Sequence, residues 1–492
     1  AFSRVRPLGG GGVPPGAGPP PRAPPPRGAP WPPRAGVGAA GGPPPPRGAG
    51  PGGGAGPGGG GGAEDDVKNG AAPEPSDPVD TSRGGAPKLS ELAAAYLAVC
   101  QGEFSTEKME KAAAMGSALL VQAGTVERAA EALNEVRLQT QGQHLQWAAD
   151  GHLKGITELH RRYLKEMVEL GVPSRRETPM QREEAKNHGS VHGYEKELLQ
   201  KAWKDAAYGA TLMVDPGLEG VAGVLEDSKV AESPLGRVPK QNPDRTVSSE
   251  GRPINDMRRQ NDQGSKYNHP PAPQPRHAAV ARQALWWASR HPGIPQRCAK
   301  RDVPRAFKWH FLQPADVPEF AVRLAGILLI SLVMPFGWVG APGEFVAWST
   351  AARHHHGSFR PPDPAFNDVV PYDSKWLMDD GVVLEPLVGN RVFHSLACLD
   401  ATMVAVWGSE GVNVEKMAEE GEPSRCQLLW GLHMDFETFL VSLPEPKRIK
   451  AKYLLADPGL RRGEKRVPLK LAQEVTGCAQ YWSVVCPELA PH

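Results

Sequence analysis

The chain has 492 residues and a formal net charge of +1, with 56 Gly, 52 Pro and 6 Cys. This length predicts roughly two to four domains. The near-neutral charge excludes a uniformly basic chain but not a nucleic-acid partner, because the basic residues occur in local clusters. No two cysteines are spaced as C-x-x-C, which argues against a zinc finger or a zinc knuckle.

The first segment, residues 1–88, is predicted to be disordered. Residues 1–62 are almost entirely Gly, Pro, Ala and Arg, and they hold too little apolar side chain to offset the entropy of ordering. Residues 63–88 continue as a polar linker. Residues 1–30 lack the apolar stretch of a secretory signal peptide, so the sequence predicts an intracellular protein of the cytoplasm, the nucleus or both.

The second segment, residues 89–172, is predicted to be helical. Apolar residues recur there at helical spacing among strong helix formers, and Ser105 and Thr125 stand where N-caps belong. It is interpreted either as a structural extension or as an oligomerisation or nucleic-acid packaging element. Residues 173–232 are polar and mixed in character, which predicts a linker with a helical stretch near residues 193–208.

From residue 233 the sequence changes to short apolar runs separated by turn residues, which predicts an α+β domain. The most apolar run, residues 324–339, contains Pro335 and Gly337 and is short for a membrane span. It is therefore interpreted as buried strands. Three adjacent histidines, residues 354–356, are interpreted as part of an exposed loop and not as metal ligands.

A pair of acids, Asp379 and Asp380, lies between two short apolar runs. Apolar residues on both sides of the pair predict a β-hairpin with the acids at its tip. Adjacent carboxylates repel each other unless a cation neutralises them, and Mg²⁺ prefers carboxylate oxygens while keeping positions open for phosphates. Most such pairs, however, are solvated turns, so the pair alone does not identify a function.

A third acid, Asp302, lies in AKRDVPRAFKWHFL, a segment that favours a strand leading into a turn. Two-metal phosphoryl transfer needs carboxylates that converge from separate strands on ions about 3.5–4 Å apart. Asp302 on one strand, with Asp379 and Asp380 on a hairpin, would supply such a set. The sequence therefore predicts that these three acids bind Mg²⁺ or Mn²⁺.

Residues 233–485 resemble the reverse transcriptases of retroviruses, long-terminal-repeat retrotransposons and tyrosine-recombinase retroelements. The segments that carry the resemblance occur in the family's order, and they are RPINDMRRQN (252–261), KRDVPRAF (300–307), MPFGWVGAPGEF (334–345), WLMDD (376–380), GVNVEK (411–416), LWGL (429–432), VSLPEPK (441–447) and VPLKLAQEVTGCAQYW (467–482). The resemblance implies an α+β, right-hand polymerase fold. Residues 233–443 would form the fingers and palm, and residues 444–492 a thumb-like segment.

The resemblance also implies roles for the residues around the acids. Lys416 would act beside the three metal-binding aspartates and would protonate or steady the leaving pyrophosphate. The nucleotide-binding residues would be Arg252, Phe307, Phe336 and Gly337. Of these, Phe307 falls at the position where an aromatic ring excludes a ribose 2′-hydroxyl, which implies that the enzyme uses dNTPs.

A second set of matched residues implies contacts with nucleic acid. The primer and template would be contacted by Trp430, Gly431, Leu432, Lys447, Arg448 and Lys450. The implied partners are an RNA template, a DNA primer and dNTPs. No protease, RNase H, integrase or recombinase signature is recognisable in the chain, which favours a partial polyprotein or a diverged element.

Two departures from the family pattern leave alternatives open. Leu377 stands where the Y-x-D-D motif has its tyrosine, and Pro304 follows Asp302 by two residues and lacks a backbone donor. A catalytically degenerate or domesticated retroelement protein that still binds nucleic acid is therefore one alternative. An RNA-directed RNA polymerase is another, and Phe307 argues against it.

Overall fold

The computed structural model describes residues 87–140, 145, 148–178, 181–242, 246–362, 370–461 and 466–486. All of them belong to one unit of the chain. The segment predicted to be disordered, residues 1–88, lies outside the described residues except for its last two positions. Among the described residues, no helix is long and apolar enough to cross a membrane.

The N-terminal part of the described chain is helical, as the sequence predicts. The helices are α1 (Leu89–Val99), α2 (Thr106–Ala123), α3 (Val126–Thr140), a π-helical turn (Ala148–His152) and α4 (Glu158–Glu169). Both predicted N-caps are confirmed, because Ser105 Oγ accepts a hydrogen bond from Lys108 N at 3.1 Å and Thr125 Oγ1 accepts one from Arg128 N at 3.2 Å. Gly124 ends α2 with a φ of 75°, a left-handed conformation that glycine adopts without strain.

Residues 173–232 differ from the predicted linker. They form α5 (Glu195–Ala207), β1 (Thr211–Val214) and α6 (Val221–Asp227). The helix near residues 193–208 is confirmed, but β1 is not foreseen. It pairs antiparallel with β6 (Ile327–Ser331), and its residues Leu212, Met213 and Val214 have no exposed surface. A strand of four residues is too short to reveal itself by periodicity in the sequence.

Two sheets are distinct from the one that carries the acids. β2 (Leu235–Gln241) and β3 (Val247–Asn255) form an antiparallel hairpin, and β5 (Ala321–Leu324) joins β6 and β1 in a sheet of order β1-β6-β5. The apolar run interpreted as buried strands thus provides β6, which is buried along most of its length. Between these sheets the chain forms α7 (Arg258–Asp262) and α8 (His277–Arg290).

The third sheet carries the acids. Its strands are β4 (Gln296–Asp302), β7 (Ser374–Leu377) and β8 (Asp380–Pro386), all antiparallel, in the order β4-β8-β7. The helices that follow its strands in the chain are α9 (Ala341–His356), α10 (Arg391–Trp407) and α11 (Val414–Glu420). One face packs on α10, where the Trp376 and Trp407 ring centroids are 5.6 Å apart, and the other packs on α8, where Trp287 Nε1 donates to Leu384 O at 3.0 Å.

The C-terminal part packs partly on the third sheet, because Leu429 and Met434 share a core with residues of α8 and β8. It comprises the meander β9 (Cys426–Leu429), β10 (Leu432–Asp435) and β11 (Leu440–Ser442), followed by α12 (Glu445–Leu455) and α13 (Leu469–Trp482). Leu454, Leu471 and Trp482 make a core of their own between the two helices. The last helix coincides with the segment that resembles the family's thumb helix.

The N-terminal helices share one hydrophobic core with the sheets. Tyr96 Oη on α1 donates to Thr211 O at 2.8 Å and accepts from Met213 N at 2.9 Å, so one buried phenol holds α1 on β1. Helix α2 approaches β1 so closely at Gly116 that a Cβ there would overlap the Met213 carbonyl oxygen. The helical segment is therefore built into the fold and is not an appendage.

This close approach predicts the effect of adding one methyl group. Gly116→Ala should lower the free energy of unfolding by about 1–3 kcal/mol, because the new Cβ overlaps backbone that cannot move freely. Gly477→Ala on α13 is the matched control. No atom lies within 4 Å of a Cβ at that position, and the change should raise stability by about 0.5–1 kcal/mol. Urea unfolding measures both, and equal effects would contradict the packing of α2 on β1.

Candidate active site

The hairpin predicted for the acid pair is confirmed. Leu377 at the end of β7 pairs with Asp380 at the start of β8, and Met378 and Asp379 form the two-residue turn between them. Met378 has a φ of 57°, the left-handed conformation that hairpin turns of this length require at their first position. Gln274 fixes the turn, because its Oε1 accepts a hydrogen bond from Met378 N at 3.1 Å.

Asp302 lies beside the acid pair. It is the last residue of β4 and pairs directly with Asp380 on β8, while Val303 N donates to Asp379 O at 3.0 Å. Side chains of directly paired residues point to the same face of a sheet. Leu377, Asp380 and Asp302 therefore form one row across the three strands, and Asp379 adjoins it from the turn.

The three carboxylates crowd one another. Burial and the negative charges of Asp379 and Asp302 raise the pKa of Asp380 to about 7, and a side-chain hydrogen bond with Asp302 adds to the rise. Burial also raises the pKa of Asp379, with a further contribution from Asp302. Carboxylates that raise one another's pKa are the electrostatic sign of a site that a cation would stabilise.

Lys416 and Asn413 contact Asp302 from the start of α11. Lys416 Nζ lies 2.6 Å from Asp302 Oδ1, and Asn413 Nδ2 donates to Asp302 Oδ2 at 2.9 Å. Burial alone would lower the pKa of Lys416, but the hydrogen bond to Asp302 and the charges of all three aspartates outweigh it, and the pKa is raised. Lys416 is therefore a protonated amine held against the acids.

Asn413 has two roles, of which the sequence indicates one. Its Oδ1 accepts from Lys416 N at 3.2 Å, so it is the N-cap of α11, and its Nδ2 orients Asp302. Asn413 N also donates to Asp302 O at 3.0 Å. An Asn at this place in the sequence signals the cap, whereas the contact with Asp302 depends on a residue 111 positions away.

The acids offer the oxygen ligands that Mg²⁺ and Mn²⁺ prefer. Among the described residues, no group of three or more His, Cys, Asp and Glu side chains is already arranged as a metal site. Instead, both carboxylate oxygens of Asp302 accept hydrogen bonds from protein donors, Lys416 and Asn413. The donor type and the excess of negative charge on Asp379 and Asp380 fit a divalent cation.

Three of the four predicted nucleotide-binding residues adjoin one another. The Phe307 and Phe336 ring centroids are 5.0 Å apart, and Phe307 is also 5.5 Å from Phe345 on α9. Phe307 is nearly buried, whereas Phe336 is half exposed. Gly337 has a φ of 94°, and its carbonyl oxygen accepts from Asn261 Nδ2 at 2.9 Å. Phe307 and Phe336 thus form an aromatic pair beside a turn that only glycine adopts easily.

Arg252, the fourth predicted nucleotide-binding residue, lies on a different element. It is exposed on β3, opposite Val238 on β2, and lines a cleft with Lys201 and Lys240 of about 710 Å³. The structure thus places Arg252 on the hairpin that precedes the acids.

The segment predicted to position the primer is a tight hairpin turn. Trp430 and Gly431 connect β9 to β10 with φ values of 46° and 87°, and Leu432 is fully buried at the start of β10. Tyr481 Oη on α13 donates to Trp430 O at 3.2 Å. His277 Nε2 lies 3.0 Å from Leu429 O, and its ring is edge-on to Trp430. Contacts from α8 and α13 therefore fix this turn.

The three basic residues predicted to contact the primer and template all lie on α12. Lys447 is exposed, and its Nζ stands 5.8 Å from the centre of the Tyr481 ring. Arg448 is paired with Glu445 one turn earlier, and Lys450 Nζ is 3.3 Å from Glu474 Oε1 on α13. Lys447 is therefore the most available of the three to a phosphate, and Lys450 serves to join the two helices.

The structure corrects the interpretation of the three histidines. They form the last turn of α9 and not an exposed loop, and His355 and His356 are buried. His356 Nε2 lies 3.0 Å from Ser395 O, and His355 Nδ1 accepts from Lys154 N at 2.8 Å. Their hydrogen-bond partners, Lys154 and Ser395, come from distant parts of the chain, so local polarity misled the prediction.

Alternation along β7 places Trp376 and Leu377 on opposite faces of the sheet. Trp376 points to the opposite face of the sheet, where it packs on Trp407 and Gly381. Leu377, half exposed, is the residue on the acid face. Pro304 lies in the turn after β4, where its carbonyl oxygen accepts from Trp309 Nε1 at 2.8 Å.

No protein-family model matches the chain, and no curated protein matches its sequence. Solved structures that resemble it include the foamy viral protease–reverse transcriptase with RNA/DNA hybrid, at 11% identity and a TM-score of 0.42, covering 71% of this chain and 42% of that one. Two others, with double-stranded DNA, each show 12% identity and a TM-score of 0.38 over 69% of this chain. This chain covers 52% and 62% of those two structures, so it spans about half the length of the three structures named.

The double role of Asn413 can be tested by stability. Asn413→Ala removes both the cap of α11 and the donor to Asp302, and it should lower the free energy of unfolding by about 1–2 kcal/mol. Asn413→Ser keeps a capping oxygen but is too short to reach Asp302, so it should recover about half of that loss. Thermal unfolding of both variants measures the difference, and identical losses would contradict a capping role.

Proposed function

We propose that this protein is an RNA-directed DNA polymerase of a retroelement, which transfers a nucleotide from a dNTP to a primer 3′-hydroxyl. The single observation that carries the proposal is the placement of Asp302 directly beside Asp380, with Asp379 and Lys416 against the same pair. Asp302 and Asp380 are 78 positions apart in the sequence and meet at one end of a sheet, in the order of motifs that the resemblance identifies.

The three acids would hold Mg²⁺ or Mn²⁺. When bound, such ions stabilise the charge on phosphate oxygens and lower the pKa of the attacking hydroxyl. Because the pKa of Lys416 is raised, this side chain is protonated at neutral pH. It would steady the leaving pyrophosphate or protonate it. Asn413 would keep Asp302 in position while the ion pair with Lys416 opens.

The aromatic pair would select the nucleotide. Phe307 is held edge-on between Phe336 and Phe345, so it cannot swing away easily from an incoming sugar. A ring in that position favours a 2′-deoxyribose over a ribose. Gly337 would let the backbone approach the base or template closely, because no Cβ stands in the way.

Nucleic acid would be held by the hairpin turn at Trp430–Gly431 and by the exposed face of α12. Lys447 offers a charge to the phosphate backbone, a contact that weakens as salt rises. The rigid turn supported by Tyr481 and His277 would set the position of the primer end relative to the acids.

Primer extension on an RNA template with Mg²⁺ tests the proposal. The wild-type protein should incorporate dNTPs, and Asp379→Asn should reduce the rate by roughly a hundredfold or more, because it removes charge where the reaction needs it. Template–primer affinity, measured by fluorescence anisotropy, should change little. A correctly folded wild-type protein that incorporates nothing would contradict the catalytic proposal.

The nucleotide-selecting role of Phe307 gives a separate prediction. Phe307→Ala should lower the preference for dNTPs over rNTPs by roughly 10- to 200-fold, the range that the shape of an apolar pocket supplies. The measurement is the ratio of kcat/KM for a dNTP to that for the matching rNTP. A wild-type enzyme that prefers rNTPs would instead support an RNA polymerase.

A degenerate, non-catalytic protein that binds nucleic acid is the second candidate. The observation that favours it is Leu377, which occupies the acid row where the family motif has an aromatic side chain. Leu377→Tyr distinguishes the two candidates, because an active enzyme should keep or increase its rate of primer extension after the change. Binding without extension in both forms would support the second candidate.

A further inference from the structure

A buried arginine from the N-terminal helices reaches the turn that carries Phe307. Arg137 lies in the last turn of α3, is only 4% exposed, and donates from Nη2 to Lys308 O at 2.9 Å. Its guanidinium carbon stands 4.0 Å from the centre of the Phe311 ring. A side chain from outside the region that resembles a polymerase therefore contacts the residue next to Phe307.

The turn that carries Phe307 has an unusual backbone. Residues Ala306–Trp309 form a short 3₁₀ helix, which is here named the gate turn, and it is entered through Arg305 and Ala306 with φ values of 65° and 40°. Left-handed conformations of such residues are held only where the surroundings impose them. The position of the Phe307 ring thus depends on side chains that anchor this turn.

Three elements supply those anchors. Glu410 pairs with Arg305 at 2.8 Å, and Asp205 on α5 pairs with Lys308 Nζ at 2.5 Å. Both of these ion pairs are partly exposed, so water and salt weaken them. Arg137 is the buried anchor, and it acts on the backbone of Lys308 and not on a mobile side-chain tip.

The burial of the Arg137 guanidinium carries a desolvation cost that a purely structural role does not require. Among the described residues its Nη1 has no hydrogen-bond partner. Burial, with the nearby charge of Arg305, lowers its pKa to about 9, so it still carries a proton at neutral pH. Replacing a buried charged side chain by an apolar one of similar volume is often neutral or stabilising. The burial of Arg137 therefore favours a role beyond packing.

We propose that Arg137 is a positioning residue for nucleotide selection, which holds the gate turn so that Phe307 discriminates against ribonucleotides; this inference rests on the proposed polymerase function. Phe307 packs edge-on between Phe336 and Phe345, and the carbonyl that Arg137 binds belongs to the next residue. If that hydrogen bond is lost, the strained turn can relax and the ring can withdraw from the ribose. The N-terminal helices then serve the active site directly.

The test compares nucleotide selectivity in Arg137→Met with that in a control variant that only loses stability. Arg137→Met keeps the length and the apolar stem of the side chain but removes the donor. The dNTP-to-rNTP ratio of kcat/KM should fall about five- to tenfold, the size expected for one buried hydrogen bond. Leu120→Ala opens a cavity in the core of α2, far along the chain from the gate turn, and it should lower the melting temperature without changing the ratio.

A double-mutant cycle shows whether Arg137 acts through Phe307. In the Phe307→Ala background, Arg137→Met should cause no further fall in the ratio, because no ring remains to be positioned. Two results in an enzyme that extends primers would overturn this inference but not the proposed function. One is an additive fall in the ratio in the double variant, and the other is an unchanged ratio in the single Arg137→Met variant. A wild-type protein that extends no primer overturns the proposed function and this role together.

Discussion

The antiparallel pairing of β4 with β8 is the contact on which the site depends. Its register sets Asp302 beside Asp380, and the turn that closes β8 onto β7 adds Asp379. Three carboxylates at the end of one sheet are costly, since burial and mutual repulsion both oppose their ionisation. The pKa values of Asp379 and Asp380 are raised as a result. Charge crowded in this way is typical of a functional site and serves no packing purpose.

The rest of the fold keeps this arrangement in place. α10 and α8 cover opposite faces of the sheet, and Lys416 and Asn413 approach Asp302 from α11. The N-terminal helices contribute as well, because α1 and α2 pack on β1 and Arg137 reaches the gate turn. The helical segment, for which the sequence leaves a packaging role open, therefore shares its core with the sheets around the acids.

How far the sequence predicts the structure depends on the range of the interactions involved. The hairpin at Asp379 is predictable, because apolar runs flank a two-residue turn, and the caps at Ser105 and Thr125 are equally local. The proximity of Asp302 to the acid pair is predicted by the order of the motifs that carry the resemblance, and not by the residue spacing between the acids. The partners of His356 and Arg137 are distant in the chain, so no local pattern reveals their burial.

Binding of Mn²⁺ measured by isothermal titration calorimetry tests the central claim, that the three acids form one cation site, without requiring catalysis. The wild-type protein should bind Mn²⁺ with release of protons, because an acid with a pKa near 7 must ionise. Asp380→Asn should weaken the binding by about tenfold or more, as removal of one of three carboxylate ligands implies. Equal Mn²⁺ affinity in the wild type and in Asp380→Asn would contradict the account.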